Sequence, residues 1–280
     1  FRFERQMSTY QQHSELMQFN RYPVGKWFPA TKELVDLMQE SLLISEITLG
    51  AFDITVGPLV RLWGFGADHK GNKVPSETEI DDLLNQIGYQ YIEVDKINKA
   101  LKKQKQLEVD LSAIAKGRAV DEVAHLLDSM DVANYMVEIG GEVRTKGRRS
   151  VERAWQIGIE SPLIGERAVQ AVVSLQQDAM ASSGDYRNFF ESGGVRYSHT
   201  IDPRTGYPVR HQLAAVTVIR DSTSEADALA TAFMVLGPQE GYDLALKESI
   251  AAYFIIKEDS GFTTKMTPQF KPYLTQVATP

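Results

Sequence analysis

Residues 156–175, QIGIESPLIGERAVQAVVSL, decide the fold class of this 280-residue chain. They contain two runs rich in Val and Ile, 156–159 and 169–175, which are typical of strands. The connection between the two runs is too short for the helical crossover that parallel neighbours need. We therefore expect the two strands to pair antiparallel, which argues against a doubly wound parallel sheet.

The rest of the chain interleaves helices and strands without strict alternation. Apolar residues at helical spacing, or a capping box, predict helices that begin near Thr31, Ser76, Ile114 and Ser224. The second of these helices is expected to end at Gly88 and the last at Leu236. The Lys-rich stretch 96–105 is expected to be a solvated hairpin or loop. Further runs rich in Val and Ile predict strands at 135–139, 214–219 and 251–256. Together these elements predict an α+β fold in which mixed or antiparallel sheets are flanked by helices.

The composition excludes several functional classes. Cysteine is absent, which rules out disulfides, thiolate nucleophiles and Cys-ligated metal sites. The formal net charge is −7, from 30 Lys and Arg against 37 Asp and Glu, and this balance argues against nucleic-acid binding. A polyphosphate ligand would require a metal cation to offset the repulsion. No Walker A loop, G-x-G-x-x-G, G-x-S-x-G or H-E-x-x-H motif occurs.

A polar turn surrounds His199, in the stretch Ser198-His199-Thr200-Ile201-Asp202-Pro203-Arg204-Thr205-Gly206. Asp202-Pro203 and Gly206 predict a tight turn. A histidine beside such a turn is suited to act as a general base near neutral pH. The alternative is a histidine that only hydrogen-bonds within its loop.

Asp227 and Thr231 are spaced i, i+4 on a predicted helix, so both side chains project from one face. A carboxylate and a hydroxyl in this arrangement suit a hard cation such as Mg²⁺. The alternative is that Asp227 completes an N-terminal cap with Ser224 and that Thr231 only packs.

Two further segments join polar residues to apolar runs. In 109–117, a strand end meets a helix start, so free amides and Lys116 are placed to meet an anion, unless Asp110 or Ser112 merely caps the helix. In 50–58, Asp53 is a polar residue within an apolar run, unless the segment is only a turn. Gly140-Gly141 follows a predicted strand and either faces a ligand or only makes a turn.

Taken together, these segments resemble the ApbE family of flavin transferases, the FAD:protein FMN transferases. The resemblance extends from Met7-Ser8-Thr9-Tyr10 to about Gly237. Its motifs are Ser8-Thr9-Tyr10, Gly50-Ala51-Phe52-Asp53-Ile54-Thr55, the 109–117 segment, Gly140-Gly141, the 198–206 turn and Ala226-Asp227-Ala228-Leu229-Ala230-Thr231-Ala232.

The resemblance implies a single flavin transferase domain over 1–280, folded as two α+β lobes with FAD between them. It also implies Mg²⁺-dependent transfer of FMN from FAD to a Thr hydroxyl of a target protein, with release of AMP. Family targets are flavin subunits of Na⁺-translocating quinone reductase and Rnf-type redox complexes. Members are typically periplasmic lipoproteins, so a location at the inner membrane is implied, through a lipid anchor outside this chain.

The resemblance also assigns roles to individual residues. The positions that match FAD contacts in the family are Tyr10, Ala51, Phe52, Asp53, Asp110, Lys116 and Ile201. The positions that match metal ligands are Ala113, through its main-chain carbonyl, Asp227 and Thr231. Ala230 stands where some members have Asp, so that carboxylate is missing here. His199 is the candidate base that accepts the Thr proton.

Two other functions use the same residues. A Mg²⁺-dependent FAD pyrophosphatase would give free FMN and AMP, because water would replace the Thr acceptor. A non-catalytic FAD-binding module would bind FAD and release no AMP, and the pairing of a metal set with a candidate base argues against it.

Overall fold

A computed structural model of the chain describes residues 2–66, 74–163, 168–185 and 188–277. The helices are α1 (Arg2–Met7), α2 (Glu15–Arg21), α3 (Lys32–Ile47), α4 (Gly57–Leu62), α5 (Glu77–Leu84), α6 (Ser112–Ser129) and α7 (Thr223–Lys247). The first strands are β1 (Phe28–Pro29), β2 (Ile92–Asp95), β3 (Ala100–Lys103), β4 (Tyr135–Ile139), β5 (Glu142–Lys146), β6 (Trp155–Glu160) and β7 (Val169–Leu175). The remaining strands are β8 (Ala179–Gly184), β9 (Phe189–Ser192), β10 (Val195–Ser198), β11 (Leu213–Arg220), β12 (Ala251–Glu258), β13 (Gly261–Met266) and β14 (Leu274–Val277).

The chain folds as two compact units. The first unit contains Phe1–Ala115 and Phe189–Val209, and the second contains Lys116–Asn188 and Arg210–Pro280. The predicted antiparallel pairing of β6 with β7 is confirmed, with Ile157 opposite Val173. The other strand pairs of the described residues are antiparallel as well, which confirms the α+β class. That the chain is one flavin transferase domain over 1–280 stays a prediction.

The first unit has a three-stranded sheet, in the order β1-β3-β2, and the hairpin β9–β10. Helix α3 begins where predicted, because the Thr31 side chain accepts from the Leu34 N–H and caps its first turn. The capping box of α5 is confirmed as well, with Ser76 and Glu79 bonded reciprocally. That helix, however, ends at Leu84 and not at Gly88, whose φ of 134° lies outside the left-handed helical region of a C-cap glycine.

The Lys-rich stretch 96–105 was expected to be a solvated hairpin or loop. The hairpin β2–β3 is present, but Lys103 is buried on its inner face beside Leu101. The Lys103 ammonium donates to the carbonyls of Asn20 and Leu107 and lies over the Phe19 ring. Strand alternation explains the burial, since residues 101 and 103 share one face.

The second unit has a six-stranded sheet, in the order β13-β12-β11-β8-β5-β4, and a three-stranded sheet, in the order β14-β7-β6. The core that these sheets share consists of Ile159, Ala171, Val173, Leu175, Met180, Ala215, Ile219, Ala251, Tyr253, Ile255 and Phe270. Helix α7 packs against β8, β11 and β12, which explains why nearly every residue of its first half is buried. It breaks at Gly237, whose φ is 80°, close to the predicted end of the helix at Leu236.

The cap of α7 differs from the expectation. The N-cap is Ser222, whose side chain accepts from the Glu225 N–H, and not Ser224 with Asp227. Both serines are followed three residues later by an acidic residue, so the sequence offers two registers for one capping motif.

In the part of the chain that the structure describes, every helix is too short or too polar to span a membrane.

Candidate active site

Asp227 is a buried carboxylate on the second turn of α7, with 2% of its surface exposed. Its Oδ2 accepts from the main-chain N–H of Gly117 at 3.0 Å. The Nζ of Lys116 donates to Oδ1 at 2.9 Å and lies 3.2 Å from Oδ2. The alternative that Asp227 only caps its own helix is therefore wrong, because the carboxylate is bonded to α6.

Gly117 is a point of close approach between α6 and α7. A Cβ at this position would lie 2.3 Å from the carbonyl oxygen of Thr223 and 2.7 Å from the Cα of Ser224. One turn further along α6, Asp121 accepts from the amides of Thr223 and Ser224 at 3.0 and 2.9 Å. The start of α7 is thus held by α6, which fixes the direction of the Asp227 side chain.

Lys116 lies between two carboxylates. Its Nζ is 2.9 Å from Asp227 and 3.3 Å from Oε1 of Glu142. Glu142 follows the Gly140-Gly141 turn, whose φ angles are 67° and 103°, and it is the first residue of β5. Glu142 is 2% exposed, and its Oε2 has no hydrogen-bond partner among the described residues.

Burial and mutual attraction shift the pKa values of all three groups. Burial raises the pKa of Glu142 to about 7, although the Lys116 ammonium opposes the shift. Burial also raises the pKa of Asp227, against the contrary effect of Lys116 and of the Gly117 N–H. Burial lowers the pKa of Lys116, but the two carboxylates outweigh it and raise that pKa above its usual value. Two buried carboxylates thus face one ammonium, and when both carboxylates are ionised a second cation would offset the excess of negative charge.

The oxygen ligands predicted for a metal are divided between the two units. Asp227 and Thr231 lie one turn apart on α7 in the second unit, where Thr231 is partly exposed. Ala113 lies in the first turn of α6 and belongs to the first unit. Within the described ranges no group of three or more His, Asp or Glu side chains is placed to hold a metal ion. A cation at Asp227 would thus depend on hydroxyl and main-chain oxygens for its other ligands, and these suit a hard cation.

His199 follows β10 in the first unit, at the edge of an aromatic cluster formed by Trp63, Phe65, Phe190, Tyr197 and Tyr207. Its ring meets that of Phe65 edge to face, with centroids 6.3 Å apart. The predicted tight turn is confirmed, since the Gly206 N–H donates to the Asp202 carbonyl at 2.8 Å. The indole N–H of Trp63 donates to the Gly206 carbonyl at 2.8 Å and thereby attaches this turn to the cluster.

Ile201 is the other residue of this turn that was predicted to contact FAD. It is buried in the same core as Trp63 and Tyr197, with 4% of its surface exposed. An isolated bridge pairs Ile201 with Pro208 and closes the turn. The side chain of Ile201 therefore packs inward, and a contact to a ligand would be made mainly by its main chain.

Asp53 organises the loop that carries Ala51 and Phe52, all three of which are buried. Its Oδ1 accepts from the amide and hydroxyl of Thr55 at 2.7 and 2.6 Å, and its Oδ2 accepts from the Tyr89 amide at 3.0 Å. Burial raises the pKa of Asp53, although these hydrogen bonds lower it. The Asp53 carboxylate thus organises a turn, and its contact with FAD stays a prediction.

Asp110 and Tyr10 complete the predicted positions of the first unit. Oδ1 of Asp110 accepts from the amide and hydroxyl of Ser112 at 2.9 and 2.5 Å, so the capping interpretation holds for this oxygen. The Asp110 amide donates to the Ile54 carbonyl at 2.7 Å, which places the two predicted segments side by side. Tyr10 is 75% exposed, and its main-chain N–H donates to the Ser8 hydroxyl. An exposed ring is suited to stack on a planar ligand.

Comparisons with known proteins identify the family of this chain. The sequence profile of the ApbE family matches residues 1–254. The FAD:protein FMN transferase of Haemophilus influenzae is 43% identical over 273 residues, which cover 95% of this chain and 78% of that protein. The corresponding protein of Vibrio cholerae is 42% identical over 271 residues, with 97% and 81% coverage. The apo flavinyl transferase ApbE of Pseudomonas stutzeri superimposes with a TM-score of 0.88 at 41% identity, over 97% of this chain and 84% of that one.

The chain belongs to the ApbE family. The prediction of an ApbE flavin transferase is thereby confirmed, and with it the prediction that the chain is an enzyme. The site roles carried over from the family stay predictions. Sequence reasoning missed Glu142 and Asp121, because each is recognised only by contacts with residues far away in the chain. In β5 the alternation groups Glu142 with Arg144 and Lys146, which gives no sign that Glu142 is buried.

Proposed function

We propose that this ApbE-family chain transfers FMN from FAD to the hydroxyl of a threonine in a target flavoprotein subunit, in a Mg²⁺-dependent reaction. The buried carboxylates of Asp227 and Glu142, which face the single ammonium of Lys116, carry the proposal, because a second cation beside them would offset their charge. The names of the relatives, FAD:protein FMN transferase, support the choice of FAD as donor and a protein as acceptor.

The reaction exchanges the phosphoanhydride bond of FAD for a phosphoester bond to the threonine. The threonine oxygen forms a bond to the phosphorus of the FMN half, the bond from that phosphorus to the bridging oxygen breaks, and AMP leaves. The proton of the threonine hydroxyl passes to a base. The protein contributes mainly by positioning the reactants and by neutralising charge.

The cation would be held by the Asp227 carboxylate, the Thr231 hydroxyl and the main-chain carbonyl of Ala113. The donor set fits Mg²⁺, which prefers oxygen ligands and retains open positions for phosphate. When bound, Mg²⁺ neutralises pyrophosphate charge and stabilises the leaving AMP, an effect worth several kcal/mol. Such a cation also explains how a chain of net charge −7 binds an anionic dinucleotide.

His199 is the residue that we propose to accept the threonine proton. Its imidazole contacts the Phe65 ring edge to face, and this contact positions it at the edge of the aromatic cluster of the first unit. Lys116 would contribute positive charge toward the FAD phosphates. Asp110 and the exposed ring of Tyr10 would contribute further contacts to FAD.

The acceptors that we propose are flavin subunits of Na⁺-translocating quinone reductase or Rnf-type redox complexes. We place the reaction in the periplasm, with the enzyme attached to the inner membrane by a lipid anchor outside this chain. Family resemblance supports both proposals.

The experiment that tests the function combines FAD, Mg²⁺ and a flavin-acceptor domain with the chain, and measures the intact mass of the acceptor. The expected result is an FMN-sized gain in mass that disappears when Mg²⁺ is chelated and in Asp227→Ala. A gain that is unaffected in Asp227→Ala would contradict the role of this carboxylate. Absence of any gain, with FAD bound and no AMP released, would identify a flavin-binding module.

A further inference from the structure

Glu142 is a buried carboxylate that is not among the proposed ligands of the cation. Oε1 lies 3.3 Å from Nζ of Lys116, whereas Oε2 has no hydrogen-bond partner in the described part of the chain. A buried carboxylate oxygen without a donor is costly. Its presence beside Lys116 therefore requires an explanation.

A divalent cation at Asp227 would compete with Lys116 for the carboxylate oxygens of Asp227. The ammonium lies 2.9 and 3.2 Å from the two oxygens of Asp227 and 3.3 Å from Glu142, so it serves both carboxylates at once. An ammonium has three donors, and a cation that takes the Asp227 lone pairs facing Lys116 would displace the ammonium from them. The displaced ammonium needs another acceptor, and the unpartnered Oε2 of Glu142 is next to it.

We propose that Glu142 is a positioning residue, which receives Lys116 when a divalent cation takes the oxygens of Asp227. This inference rests on the proposed cation site at Asp227. Glu142 thereby lowers the cost of displacement and keeps the ammonium in the site. Gly140 leaves room for this arrangement, because a Cβ there would lie 3.3 Å from Oε2 of Glu142 and 3.7 Å from Cδ of Lys116.

The test measures Mg²⁺ binding to the full chain by calorimetry at pH 8, without FAD. Glu142→Gln retains the shape of the side chain and removes its charge. We expect the Kd for Mg²⁺ to rise about tenfold, since a charge-assisted hydrogen bond to the displaced ammonium is weakened. Glu258→Gln, which removes the same charge from an exposed position of the second unit, is the matched control and should leave the Kd unchanged.

The Lys116→Met background distinguishes positioning of Lys116 by Glu142 from a direct effect of the Glu142 charge on the cation. Lys116→Met removes the competing ammonium, so it should bind Mg²⁺ at least as tightly as the wild type. In that background, Glu142→Gln should change the Kd by less than about twofold, because the residue acts through Lys116. The same tenfold loss in both backgrounds would overturn the proposal, and so would weaker binding by Lys116→Met alone.

Mg²⁺ binding by the wild-type chain tests the cation site, and its comparison with Glu142→Gln tests the role of Glu142. Absence of Mg²⁺ binding by the wild-type chain would contradict the cation site itself. Wild-type binding together with an unchanged Kd in Glu142→Gln would overturn only the role of Glu142. If Glu142→Gln does not fold, weaker Mg²⁺ binding by Lys116→Met than by the wild type still overturns the proposal, and this variant changes a partly exposed side chain.

Discussion

At the scale of single residues, contacts decide between interpretations that the sequence leaves open. Asp227 fits both a cap and a metal ligand in sequence, and its bonds to Gly117 and Lys116 exclude the cap. Asp110 shows the reverse, because one of its oxygens does organise the start of α6. Glu142 could not be predicted, since its burial and its pairing with Lys116 depend on contacts between distant parts of the chain.

His199→Ala should separate FAD binding from transfer. We expect the variant to retain FAD affinity and to transfer FMN roughly 100- to 10,000-fold more slowly, because general-base catalysis contributes about this factor. Fluorescence titration of FAD and the rate of acceptor flavinylation measure the two properties. His125→Ala, at an exposed position of α6, is the control. Full transfer activity in His199→Ala would exclude the imidazole as the base.

At the scale of elements, sequence patterns predicted the helices and strands that depend on interactions between neighbouring residues. Apolar spacing and caps placed α3, α6 and the capping box of α5, and Val- and Ile-rich runs placed β4 and β7. The cap of α7 was misplaced by two residues, because Asp121 and Gly117 of another helix fix the start of that helix. The burial of Lys103 was missed, since acceptors from two other segments are needed to make it tolerable.

Gly117→Ala should destabilise the second unit. In an unhindered helix, alanine is favoured over glycine by about 1 kcal/mol. Here the new Cβ would meet the Thr223 carbonyl at 2.3 Å, so we expect a net loss of about 2 kcal/mol, typical of overpacking. Denaturant unfolding measures the change, with His125→Ala on the same helix as control. Stabilisation of Gly117→Ala would show that the two helices separate without cost.

Trp63→Phe should loosen the turn that carries His199. The substitution removes the donor to the Gly206 carbonyl and shrinks a fully buried side chain. We expect a loss of about 2–3 kcal/mol in unfolding free energy together with slower FMN transfer. Trp27→Phe, where the indole is 43% exposed, controls for the loss of a tryptophan. Equal stability of the two variants would indicate that the cluster does not support the turn.

At the scale of the whole molecule, the predicted site residues are divided between the two units. Tyr10, Asp53, Asp110 and His199 belong to the first unit, and the group around Asp227 belongs to the second. The sequence predicted two lobes by resemblance only, because nothing in the local pattern marks where the chain passes from one unit to the other.

The pH dependence of stability should report the burial of Glu142, which faces Lys116 of α6 and Asp227 of α7. Its pKa rises from 4.5 to about 7 on folding, so between these values the folded state holds a proton that the unfolded state has lost. Stability therefore falls as the pH rises through this window, by at most about 3 kcal/mol. In Glu142→Gln the free energy of unfolding should vary less between pH 4.5 and 7 than in the wild type, whereas Glu258→Gln should follow the wild type. Parallel profiles for all three proteins would contradict the raised pKa.

The ratio of AMP released to acceptor flavinylated distinguishes FMN transfer from FAD hydrolysis. FAD, Mg²⁺, the chain and an acceptor domain are combined, and AMP and the intact mass of the acceptor are quantified together over time. FMN transfer predicts one AMP for each FMN attached to the acceptor throughout the reaction. AMP that accumulates without a gain in acceptor mass would contradict the account and identify a pyrophosphatase.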